Sequence, residues 1–160
     1  MYQPYPQGGE MPPALTRAAP PRPVKTAVVL MYVGAAVTAV TLIVTVLTIH
    51  SIETTMETRA NYTPAQAHQL AVAAIVEALI TLGLWLLMAW ANRSGRNWGR
   101  ITATVLFGLN TIGLLLAFLR GAAAVNLVFA VVVWLIGLGA IVLLWRKESS
   151  QYFAAAAPRR

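Results

Sequence analysis

Four apolar stretches dominate this chain, and each is long enough to cross a lipid bilayer. They cover residues 26–49, 70–91, 101–119 and 122–145, which is 24, 22, 19 and 24 residues. About 20 apolar residues in a helix span the hydrocarbon layer. Inside lipid no water can satisfy the backbone, so a single spanning segment must be helical to bond its own N–H and C=O groups. The pattern predicts an all-α membrane protein, with four transmembrane helices in an up-down bundle over residues 24–147.

Composition points the same way. Of 160 residues, 58% are hydrophobic and only 11% charged, against roughly 25% charged in soluble domains. A net charge of +7 would suggest nucleic acid in a soluble chain. Here the basic residues sit at the ends of the apolar stretches, without interleaved aromatics on a folded surface, so no nucleic-acid partner is expected. The chain has no cysteine, which excludes disulfides, thiolate metal sites, iron–sulfur clusters and redox thiol pairs. No cofactor is expected.

Residues 1–23 hold seven of the nine prolines and too little apolar surface to order themselves, so they read as a disordered tail. The first apolar stretch exceeds the roughly 7–15 residues of a signal-peptide core and is not followed by a small-x-small site, so it reads as an anchor. A polar loop, residues 50–69, follows it. Within it Thr63-Pro64-Ala65-Gln66 has the form of a capped helix start, with Thr63 as cap and Pro64 in the first turn. The second helix therefore starts outside the membrane. Arg120-Gly121 must turn the chain, because 45 apolar residues cannot span as one helix. Residues 148–160 read as a polar tail.

Lys and Arg set orientation. Arg17, Arg22, Lys25, Arg93, Arg96, Arg100, Arg146, Lys147, Arg159 and Arg160 fall on one side; Arg59 and Arg120 fall on the other. This bias predicts both termini and the 92–100 loop in the cytoplasm. Trp98, Trp145 and Tyr152 lie near that boundary and read as interfacial anchors. Arg96, Arg100, Arg146 and Lys147 are candidate contacts to anionic lipid headgroups.

The loop Gly95-Arg96-Asn97-Trp98-Gly99-Arg100-Ile101 and the ending Leu143-Leu144-Trp145-Arg146-Lys147-Glu148-Ser149-Ser150-Gln151-Tyr152-Phe153 resemble those of a group of uncharacterised four-helix membrane proteins of actinobacteria. The Pro-rich leader and the preference for Arg over Lys are similar as well. The resemblance covers most of 24–153. It implies four helices in a bacterial plasma (inner) membrane and no activity.

Three polar residues lie inside the spans. At 1.5 Å per residue, Glu77 is roughly 10 Å, Asn110 about 13 Å and Asn126 about 6 Å from the outer ends of their helices. An intramembrane carboxyl costs a few kcal/mol unless paired or protonated, and is a functional candidate by default. In one reading Glu77, Asn110 and Asn126 form an intramembrane cluster whose hydrogen bonds hold the helices in register. In the other, Glu77 binds a proton or cation, with Glu77, Thr81 and Trp85 lining a wet cavity. Small residues at helical spacing, including Gly34 and Thr38, Ala74 and Ala78, and Gly137 and Ala140, predict close helix contacts.

The outer loop holds His50, Glu53, Glu57 and His68. With the first helix continued outward, the first three share a face and could join His68 at a divalent metal, although the spacing is generic and no metal is expected. There is no metalloprotease helix and no nucleophile elbow, so the chain does not read as an enzyme. Two functions remain. The leading expectation is a non-enzymatic accessory or interaction protein, with membrane lipids and a larger membrane complex or further copies of itself as partners. The alternative is a small oligomeric proton- or cation-coupled transporter using Glu77.

Overall fold

The computed structural model describes residues 19–122 and 124–156. The N-terminal tail up to residue 18, Ala123, and the last four residues with Arg159 and Arg160 lie outside the described residues. Every element is helical: α1 Arg22–Leu47, α2 Ile49–Ala60, α3 Pro64–Arg93, α4 Asn97–Leu119, α5 Ala124–Leu144 and α6 Lys147–Ala155. Four of them, α1, α3, α4 and α5, are long and apolar enough to cross a membrane.

Helix ends follow local chemistry. α1 begins at Arg22, inside the stretch read as tail, with Pro21 as its cap residue and a proline in its first turn. A first-turn proline lacks only an N–H that would be unpaired anyway. The capping box before α3 forms as expected: Thr63 Oγ1 accepts from Gln66 N at 3.3 Å, and Thr63 N donates to Gln66 Oε1 at 3.0 Å. Gly121 takes φ +70° and Gly95 φ +67°, the left-handed conformation that lets each chain reverse after a helix.

Two helices depart from the sequence reading. The segment after Thr48 is not a loop but the 12-residue α2, packed on the start of α3. The C-terminal segment is not a free tail. α6 lays Ser149, Tyr152 and Phe153 into the bundle end, all buried. Their i, i+3, i+4 spacing is that of one helix face.

α1 packs chiefly on α3 and α5, and α4 packs on α5 and α3, so α1 and α4 stand on a diagonal of a four-helix ring. The dry core sits at the α6 end, where Val24, Met31, Met88, Ala103, Leu144 and Phe153 are buried together. Toward the α2 end burial thins: α1 has no buried residue beyond Ala35 and α4 none beyond Ala103, while α3 keeps Ala67 and Ala71 buried near its start. The outward faces are apolar, with Leu47 and Leu119 each 78% exposed. In water such a surface would aggregate; against lipid tails it costs nothing.

Small residues admit aromatic rings between helices. A Cβ on Gly34 would lie 2.8 Å from two carbons of the Trp85 indole, and one on Gly137 would lie 3.1 Å from Phe107. Ala74, expected at a helix seam, is instead exposed.

Candidate functional site

Two half-open cavities lie between the four long helices, one above the other along the bundle. The inner one, nearer α6, has a volume of about 280 Å3 and is lined by Thr81, Trp85 and Met88 of α3, Phe107 and Asn110 of α4, and Gly137 of α5, among others. The outer one, toward α2, has about 410 Å3 and is lined by Thr38 and Thr41 of α1, Glu77 of α3, Asn110 of α4 and Phe129 of α5, with small and aliphatic neighbours. The two share Asn110 and Val133.

Glu77 and Asn110 thus both line the outer cavity, from α3 and α4, and both residues are exposed. Asn126 does not line it and is exposed elsewhere on α5. No hydrogen bond joins Glu77, Asn110 and Asn126 among the described residues, so the expected register-holding cluster does not form. The reason is geometric. With α1 on the diagonal from α4, the third wall beside Glu77 is α1, and Thr38 and Thr41 take the place expected of Asn126.

The polar chemistry of the outer cavity is one-sided. Thr38 Oγ1 donates to Gly34 O at 2.9 Å and Thr41 Oγ1 to Val37 O at 3.0 Å. Each hydroxyl proton is committed to its own helix backbone, which leaves the oxygen as an acceptor. Glu77 is the one titratable group lining either cavity among the described residues. The inner cavity is aromatic. Phe107 packs against Trp134 with ring centroids 5.5 Å apart, and Trp134 Nε1 is fixed by donating to Thr111 Oγ1 at 2.9 Å.

The α6 end is a plug. Arg100 lies 4.4 Å from the Trp145 ring centroid and 5.3 Å from that of Phe153. It donates to Ser150 Oγ at 3.0 Å and Asn97 Oδ1 at 2.9 Å, while its Nε is buried without a partner. Tyr152 OH donates to Arg93 O at 3.2 Å and Ser149 Oγ to Leu143 O at 2.7 Å. Of the four basic residues read as headgroup contacts, Arg100 is therefore engaged inside the protein. Arg96 is exposed and stacks over Trp90 at 4.4 Å, and Arg146 and Lys147 are exposed. Tyr152, read as an interfacial anchor, is buried at 8% exposure. Trp145 stays exposed and donates from Nε1 to Thr104 Oγ1 at 2.9 Å.

The outer metal candidates do not converge. His68 Nδ1 pairs with Glu53 Oε1 at 2.8 Å, holding α2 to α3. No group of three His, Cys, Asp or Glu able to hold a metal forms among the described residues, so His50 and Glu57 remain outside any such site.

The sequence reading missed α6 as the seal of the bundle and the threonines of α1 as residues lining the same cavity as Glu77. The signals present were the Ser149, Tyr152, Phe153 spacing and the Thr38, Thr41 pair in an otherwise aliphatic helix. The chain matches no protein-family model, no curated protein and no solved structure.

Proposed function

We propose that the chain is a small proton- or cation-coupled transporter of a bacterial plasma membrane, with both termini cytoplasmic and Glu77 as the ion-binding group. The observation that carries the reading is the placement of Glu77. Its carboxyl is not sealed in a dry helix seam but lines a cavity of about 410 Å3 with uncommitted oxygen acceptors. A register-holding acid would be paired, since an unpaired buried carboxyl is costly. The Lys and Arg bias supports this orientation, with the open α2 end outside and the α6 plug inside.

The test is proton flux into vesicles reconstituted with the purified protein and loaded with a pH-sensitive dye, under an imposed potential. Glu77→Gln is expected to abolish the protein-dependent flux while leaving the helix content intact. Undiminished flux in that variant would end the proposal.

The accessory reading keeps one observation in its favour: beyond Ala103 no residue of α4 is buried, leaving a long helix face open to a partner. Its test is quantitative mass spectrometry of the tagged protein drawn from its native membrane in mild detergent. A stoichiometric larger complex supports it, and a lone chain or homo-oligomer removes it.

A further inference from the structure

Resting on the transport reading, we propose that the two cavities together form a binding site for an organic cation bearing an apolar tail, with its charged head at Glu77 and its tail against Trp85 and Phe107. Three features define this ligand class.

The first is charge. Among the described residues, the outer cavity presents a carboxylate, two threonine oxygens whose protons are already donated, and the amide of Asn110, with no cationic group among its lining residues. Such a set accepts and does not donate, apart from the Asn110 amide, so it suits a positive head and repels an anion. The second is the inner cavity, whose walls are aliphatic or aromatic save for Thr81 and Asn110. A small inorganic ion would leave that apolar volume unused, whereas an apolar tail fills it, and concave, mostly apolar cavities with a few placed polar groups are the usual small-molecule sites. The third is length. Glu77 and Trp85 are eight residues apart on one helix, about 12 Å along the axis at 1.5 Å per residue. A head and tail separated by roughly that distance span both cavities, which share Asn110 and Val133.

The carboxyl of Glu77 is the one acidic partner the cavities offer the cationic head. No other titratable group lines the cavities from any of the four helices among the described residues, and the threonine, asparagine and aromatic neighbours are neutral.

The probe is 7-phenylheptyltrimethylammonium, permanently charged and of matching length, added to the purified full chain in a neutral detergent. Binding is followed by isothermal titration calorimetry. Expected results are saturable binding to the wild type, loss of roughly tenfold or more in Glu77→Gln, and a loss of similar size in Trp85→Leu, which keeps the carboxylate but removes the aromatic wall. Trp85→Phe, which preserves a ring, is expected to retain most of the affinity and guards against a folding artefact. Tetramethylammonium, a head without a tail, and the uncharged carbon isostere of the probe are both expected to bind much more weakly. Equal binding of the isostere, or unchanged binding in Glu77→Gln, overturns the assignment of the head. Equal binding of tetramethylammonium overturns that of the tail. Binding with these properties but without flux in vesicles would reject the transport reading and leave the site standing.

Discussion

Replacing Phe153 by Ala is expected to free α6 from the bundle without unfolding the four long helices. Among the described residues Phe153 is the largest fully buried side chain, 1% exposed, and its ring centroid lies 5.3 Å from the Arg100 guanidinium. Truncating a buried Phe to Ala costs about 3–5 kcal/mol where the structure must stay assembled. α6 is only nine residues long. It is held by two buried rings and by hydrogen bonds from Ser149, from Tyr152 and to Ser150, so removing one of the two rings takes away a large share of what docks it. The helix then detaches, and the loss to the whole protein is capped at its docking energy. Hydrogen exchange read by mass spectrometry over residues 147–156 is the assay. At tenfold per 1.4 kcal/mol, exchange there should accelerate by roughly a hundredfold or more, while α3 and α4 away from the α6 contact stay protected. Unchanged protection over 147–156 would show that Phe153 does not seat α6 and would refute the plug.

Other consequences are as direct. Gly34→Ala puts a methyl 2.8 Å from the Trp85 indole; overpacking of about 1–3 kcal/mol is expected, seen as a lower thermal midpoint in detergent, and an unchanged midpoint would mean that the ring is not seated there. Arg100→Lys keeps the charge but loses the planar stack on Trp145 and the two-pronged bonds to Ser150 and Asn97, so it should destabilise nearly as much as Arg100→Ala; full rescue by Lys would show that charge alone matters. His68→Ala should change stability by less than about 1 kcal/mol, since the His68 side chain is 67% exposed and surface pairs contribute little. The chain is free of cysteine, so single cysteines at Ser94 and Thr55 can report topology: a membrane-impermeant maleimide applied to intact cells should label the second and not the first, and the reverse pattern would invert the proposed orientation.

The sequence by itself determined the helices that can span. Apolar length, the Thr63–Gln66 box, the glycine turn at Gly121 and the Lys and Arg distribution are local properties, each readable without knowing what lies opposite. Lipid enforces this legibility, because a spanning segment must satisfy its own backbone whatever its neighbours do. The tertiary structure decided which faces meet. Depth along the helices put Glu77 near both Asn110 and Asn126, but depth carries no azimuth, and only the ring order brought the α1 threonines to Glu77 and left Asn126 outside. The same holds at the other end. Arg100, Trp145 and Tyr152 have the composition of an interfacial belt, yet α6 folds back and engages Arg100 and Tyr152 inside the protein, while Trp145 stays exposed. Which of two equally basic or aromatic surfaces faces water and which faces protein depends on contacts between residues about 50 positions apart, such as Arg100 with Ser150, and no local pattern encodes them.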